Sequence, residues 1–326
     1  MSGHRKTASE LRAVASRLLA GAAGQREQLQ FPVGSDLLTR WTYLPGPRPG
    51  LVLGAMTKSQ RMLVHQLLEL VLSEACHAQL ATIMALEDLL DRREGHRMGR
   101  HSTDFWVLMF GDPDADATWS WRLEGHHACV HVTVAGGDVT VDPLFLGCHP
   151  AVIAHAGRVV TAPLAHEEGL ARDLVLSLPP ADRARVITAG SAPQDIYSGT
   201  AAELSGQHLD RLREGVPIDA FERRTAGKLA ALLDLYSARL AEPLAGDLRA
   251  ALDADSLRLS WQGSTEPGRR HYYRLTGTSF LIEHENSDNH ANHVHNVMRR
   301  RNAGMDTEDL LGQHRAADAQ AWRADR

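Results

Sequence analysis

Between Phe105 and Gly147 the apolar residues recur at every second position, through DFWVLMF, ATWSWRLEGHHACVHVTVAGG and DVTVDPLFLG. A period of two over this length constrains the fold more than any other feature of the chain, because only extended strands place alternate residues on one face. Gly136, Gly137 and Asp138 mark a hairpin turn between two of the runs. The middle of the chain therefore reads as an antiparallel meander.

On both sides of the meander the period is helical. Leu11, Val14, Leu18 and Leu19 form a stripe that ends near Gly21–Gly24. The next stretch, FPVGSDLLTRWTYLPGPRPGLVL, holds four prolines and three glycines and reads as an extended wrapping segment. Thr57 followed by Gln60 predicts a capping box, with Met62, Leu63, Gln66, Leu67, Leu70 and Val71 behind it. A second helix runs through Leu80, Ile83, Met84, Leu86 and Leu89. From Leu164 to about Ala254 the pattern is again helical, with a long helix near Phe221–Leu240. Strands resume at SLRLSWQG, HYYRLTGTSFLIEHEN and NHVHNVM, and DTEDLLGQH predicts a last helix capped by Asp306 or Thr307. Strands and helices do not alternate one by one, and no glycine-rich phosphate loop is present. The expected class is α+β, with a mainly antiparallel β-sheet flanked by helices and with helical N-terminal and middle segments. The expected organisation is an N-terminal helix and extended arm over residues 1–40, then a single α+β domain over 41–326.

Composition narrows the function classes. Of the 326 residues, 43% are hydrophobic and 23% charged, enough to bury a core, and a formal net charge of −5 argues against nucleic acid as a partner. Cys76, Cys129 and Cys148 are too few and too scattered for a disulfide framework. Glu10, Arg12 and Arg17 interrupt any secretory apolar stretch, and no apolar run reaches the ~20 residues of a membrane span. The expectation is a cytoplasmic protein without a membrane partner, acting on a small molecule.

Two segments carry the candidate chemistry. In EGHHACVHVTV, read as one strand, Ala128, Val130, Val132 and Val134 take one face and His127, Cys129, His131 and Thr133 the other, with Glu124 and His126 following the valines. Near the C-terminus, HENSDNHANHVHNV interleaves four histidines with asparagines, and in its NHVHN stretch an extended backbone turns His293 and His295 to one side. A His-x-His strand supplies two convergent imidazoles, and His127 or His126 can supply a third, leaving a position for water, oxygen or substrate. Asn292 and Glu283 are candidate partners for the outer ring nitrogens. Arg122 and Arg274 sit inside strand patterns, where a long cation needs a partner, either an anionic substrate or a cross-strand carboxylate. Tyr273 and Asn286 are further substrate-binding candidates, and Glu124 and Arg274 are candidate catalytic groups. A Cys129–histidine nucleophile is set aside, because a buried strand cysteine usually packs as a small apolar residue.

The segments WVLMFGDP, WSWRLEGHHACVHVTV, PLFLG, HYYRLTG, FLIEHENSDNHANHVHNV and DLLGQH resemble the bacterial and fungal family DUF3500, a domain of unknown function. The resemblance covers the chain from about Trp41 onward and implies one continuous domain with the Glu-Gly-His-His and Asn-His-x-His segments as shared features. The chain departs from that pattern at His131 and His284, where Asn and an aromatic residue are expected. The roles of His131, His284, His290 and His314 stay open at this point.

The first functional reading is a metal-dependent enzyme holding copper, iron or zinc. Oxidoreductase chemistry on a small molecule leads, because no carboxylate stands in the His-x-His motif, and a metal-dependent hydrolase is the alternative. The second reading is a non-catalytic module that binds a small anion through Arg122 and Arg274.

Overall fold

The computed structural model describes residues 3–200, 212, 215–221 and 223–300. The segment DTEDLLGQH, with its expected helix and His314, lies outside the described residues. The N-terminal stripe forms α1 (Gly3–Gly21), and Leu11, Ala15 and Leu18 are fully buried in the main core. A one-turn α2 (Arg26–Leu29) leads into the short strand β1 (Gln30–Phe31), and the proline-rich stretch ends at β2 (Leu51–Val52). The predicted capping box is present at the start of α3 (Lys58–Glu69): Thr57 Oγ1 accepts from the Gln60 amide, and Gln60 Oε1 accepts from the Thr57 amide at 2.6 Å. It is followed by α4 (Glu74–Arg93), capped by Ser73.

The meander forms β3 (Phe105–Phe110), β4 (Thr118–Gly125), β5 (Ala128–Ala135) and β6 (Asp138–Cys148), with the β5–β6 turn at Gly136–Gly137 as the sequence indicates. A small separate hairpin pairs β7 (Ile153–His155) with β8 (Arg158–Thr161). The helical middle contains α5 (Ala165–Ser177), α6 (Pro180–Val186), α7 (Arg223–Ser237) and α8 (Leu244–Ala254), with short strands β9 (Ile187–Ala189) and β10 (Val216–Pro217) among them. The sheet resumes with β11 (Arg258–Gly263), β12 (His271–Thr276), β13 (Phe280–Asp288) and β14 (His293–Arg300).

These strands make one 12-stranded sheet in the order β1-β3-β4-β5-β6-β14-β13-β12-β11-β10, with β2 added on β3 and β9 on β11. Most pairs are antiparallel, as expected for hairpin connections. The sheet is nevertheless mixed, because β1 runs parallel to β3 and β9 parallel to β11. The decisive pairing is β6 with β14, which joins the two halves of the sheet and sets Gly147 opposite His295.

Both faces of the sheet are covered. One face carries Trp119, Trp121, Val130, Val132, Leu144, Leu146, Tyr273 and Ile282 into a core shared with α1, α3, α4, α5, α7 and α8. The other face carries Cys129, Phe145 and Val297, which pack under Trp41, Tyr43 and Ile196. The proline-rich segment thus crosses the second face of the sheet, and this is why residues expected on a polar, wet face are buried there. Arg122 is the pin: its Nη1 donates to the Leu38 carbonyl at 3.1 Å, and its Nη2 to those of Leu37 and Arg40 at 3.0 and 2.8 Å.

Candidate metal centre

His126 and His127 are not strand residues. Gly125 pairs with Ala128, so the two histidines are the connecting residues of a two-residue hairpin turn between β4 and β5. This corrects the single-strand reading of EGHHACVHVTV, and the register also moves Glu124: it pairs with Cys129 and shares its face, while the valines face the helices. His127 has φ of 66°, in the left-handed region that a side chain with a Cβ enters at a cost of about 1–2 kcal/mol. The tertiary structure holds it there. The amide of Gly147 donates to the His127 carbonyl at 2.7 Å, fixing the turn against β6.

The His-x-His strand forms as expected. His293 and His295 lie on β14, and the His127 and His293 Nε2 atoms are 2.8 Å apart. One ligand nitrogen from each of His127, His293 and His295 lies within 4.8 Å of the others. Two imidazole nitrogens bound to one tetrahedral ion sit about 3.3 Å apart, so a metal requires these rings to part by only about half an ångström. His149 stacks on His293 with centroids 4.7 Å apart, and His126 packs on His127 at 3.6 Å. Burial, then the neighbouring His126, His295, His293 and His149, hold the His127 pKa well below its ordinary value, which keeps the ring neutral and its lone pair available.

Carboxylates hold the outer nitrogens. His295 Nδ1 lies 2.9 Å from Asp195 and 2.8 Å from Glu285, so Nε2 is the atom left for a ligand role. Burial by itself lowers the His295 pKa, but the hydrogen bonds that the ring donates to Asp195 and Glu285, with the charge of both carboxylates, outweigh it and push the pKa up to about 9. Glu87, from α4, lies 2.7 Å from His126 Nδ1 and 3.5 Å from His127 Nδ1. Tyr43 donates to Asp195 at 2.9 Å and packs on His295 with centroids 4.9 Å apart, so the wrapping segment forms one wall of the centre. An Asp195→Asn, Glu285→Gln double substitution is expected to weaken metal binding by about 10–100-fold, because the His295 ring loses the two negative charges on its Nδ1 side and keeps only neutral amides that no longer fix its tautomer. Competition with a chromophoric chelator measures the change.

Gly147 makes the convergence sterically possible. A Cβ there would stand 2.9 Å from the Val294 carbonyl, 3.0 Å from His127 Cδ2 and 3.1 Å from His295 Cδ2. Gly147→Ala is expected to cost about 1–3 kcal/mol of stability and to drive the two rings apart, lowering metal affinity as well. Denaturant unfolding and metal titration of the same variant separate the two effects.

Arg122 and Glu124 pair with each other, Nε to Oε2 at 2.8 Å, both buried. Arg274 lies under the rings of Tyr197 and Tyr272. Tyr273 is on the opposite face of the sheet from His295, in the helix-side core, with its hydroxyl 2.6 Å from that of Tyr236. Asn286 accepts from the His271 amide at 2.7 Å. Glu283 accepts from the amides of Tyr197 and Ser198 at 2.7 and 3.1 Å, anchoring the loop that carries Asp195. Asn292 accepts from the Val152 amide at 2.9 Å and so holds the loop behind His149. His131 is buried opposite Arg122, and His290 is exposed in the turn before β14.

A second grouping, Glu168, His271 and His284, also brings ligand-type atoms within 4.8 Å. The Asn296 amide nitrogen stands 3.2 Å from His284 Nδ1, and its orientation is set by Arg239 donating to Asn296 Oδ1 at 2.7 Å. His284 Nδ1 is therefore an acceptor and Nε2 carries the proton, which disfavours this grouping as a metal centre.

Glu87, His149, Asp195 and Glu285 were not singled out by the sequence. Glu285 stands two residues from the chosen Glu283 and enters the site because it pairs with His295 across β13 and β14, a register the sequence does not print. Glu87 reads as part of a helix's polar side, and Asp195 lies in a loop.

The molecule is an α+β protein with a buried histidine-rich centre, carboxylate-backed, at the junction of the two halves of one sheet. The chain belongs to DUF3500, a family of proteins of unknown function, whose model matches residues 4–306. No curated protein and no solved structure matches it.

Proposed function

We propose that this protein is a metal-dependent enzyme acting on a small molecule, with one copper, iron or zinc ion held by His127, His293 and His295. The observation that carries the reading is the approach of the His127 and His293 Nε2 atoms to 2.8 Å, beside a third imidazole whose Nδ1 is already bonded to two carboxylates. Once His295, whose pKa is raised to about 9, gives up its Nε2 proton as the ion binds, three imidazole donors would leave coordination positions open, and a bound ion there would supply either redox chemistry or an activated water.

Oxidoreductase chemistry is the first reading. The donors are all imidazoles, and Tyr43, Phe145 and Trp41 form an aromatic wall on one side, with His295 4.9 and 5.6 Å from the first two rings. Such a wall excludes water from the coordination sphere. The metal-dependent hydrolase is kept as a second reading on one observation: Glu87, bonded to His126, is a buried carboxylate beside the centre and a candidate proton acceptor. The small-anion module using Arg122 and Arg274 loses the support of its first guanidinium, since Arg122 is engaged by Glu124 and three backbone carbonyls. Three unpaired, buried cysteines support a cytoplasmic location, and no helix among the described residues is long and apolar enough to cross a membrane.

The test is elemental analysis of untagged protein, as purified and after reconstitution with each metal. About one equivalent of copper or iron supports the oxidoreductase and one of zinc the hydrolase. Failure to retain any metal after reconstitution rejects the proposal.

A further inference from the structure

Glu87 and His126 have a second exposure: besides contacting His127, both line a cleft of about 270 Å³. Its apolar wall is Pro45, Pro47, Met98 and Trp106, and Arg48 and Arg100 line it as well. This volume is just below the range of ligand pockets, about 300–1,000 Å³, and fits a molecule of about ten heavy atoms.

The two guanidinium groups give the cleft its selectivity. Arg48 lies 5.2 Å over the Trp106 ring and donates from Nη1 to the Thr42 carbonyl at 2.7 Å and from Nη2 to that of Leu44. Its buried Nε–H has no acceptor among the described residues. Arg100 uses Nε and Nη2 on Glu94, at 2.8 and 3.2 Å, and sets Nη1 3.2 Å from His126 Nδ1. The same Nδ1 lies 2.7 Å from Glu87. One imidazole nitrogen cannot both donate to Glu87 and accept from Arg100, and the shorter contact takes the proton. The Arg100 Nη1–H directed at His126 is then left without an acceptor among the described residues. Glu87, already bonded to His126, and Asp104 are the acids that also line the cleft. A guanidinium N–H lacking an acceptor beside an apolar wall recognises a carboxylate on an apolar body, and Arg48, whose own unbonded Nε–H is buried, adds positive charge to the same cleft.

We infer that this cleft is the substrate subsite of the histidine centre and takes a small carboxylate with an apolar body. The inference rests on the metal-centre reading for the word substrate, and on the cleft itself for the ligand class.

The test is calorimetric titration of benzoate and of its uncharged isostere benzamide into the full chain, both metal-loaded and chelator-stripped. Benzoate is expected to bind saturably to both forms and at least about tenfold more tightly than benzamide. Arg100→Gln should remove most of that preference while leaving metal content unchanged. Met98→Trp, at a position 58% exposed, should weaken both ligands by narrowing the cleft without touching either guanidinium. Equal affinity for the two probes, no saturable binding, or benzoate binding that neither variant alters overturns the inference. Benzoate binding to a protein that never retains metal supports the carboxylate cleft and rejects the metal reading. Metal retention without benzoate binding rejects the cleft alone.

Discussion

His295→Ala is expected to empty the metal centre, taking retained metal from about one equivalent to less than about a tenth, while leaving the helical core folded. His295 is the ring whose orientation is most fully determined, with Asp195 and Glu285 both on Nδ1, and its removal also leaves those two carboxylates facing each other without a cation between them. Elemental analysis reads the metal. Far-ultraviolet circular dichroism reads the helices, whose stripes His295 does not join. The metal-linked part of thermal stability should vanish as well: a ligand at 100 times its dissociation constant adds about 2.7 kcal/mol, and the variant should show no shift in melting temperature on addition of the same ion. Full occupancy in this variant would remove His295 from the site.

Arg122→Leu is expected to cost about 3–5 kcal/mol of folding stability with no direct effect on the metal ligands. The guanidinium is 1% exposed, and its loss strands the Glu124 carboxylate in the sheet and three carbonyls of residues 37–40 over it. Burial already raises the Glu124 pKa, with Arg122 and Arg48 the opposing influences, so removing Arg122 should drive that carboxyl toward its neutral form. Because the same segment carries Tyr43 onto His295, the loosened strap is expected to admit water to the centre. Urea unfolding gives the stability loss, and a double Arg122→Leu, Glu124→Leu variant should recover part of it. A loss below about 1 kcal/mol would show that the pair is not the pin proposed for the wrapping segment.

The period of two from Phe105 to Gly147, the Gly136–Gly137 turn and the Thr57 capping box were legible because each is local: the physics sits in neighbouring side chains and a few dihedral angles. His-x-His on an extended backbone is legible for the same reason, and His293 and His295 do share a face of β14. What only the tertiary structure decided is the meeting of distant segments. The β6–β14 pairing brings Gly147 to His295, the β13–β14 register chooses Glu285 over Glu283, and a left-handed turn residue, His127, is held in place by a hydrogen bond from β6. Likewise the strand alternation correctly divided the valines from Cys129 and His131, yet gave no sign that Trp41, Tyr43 and the Arg122-bound loop would cover the second face. Alternation records which residues share a side of a strand, and the depth at which that side is buried depends on segments far away in sequence, which no local pattern encodes.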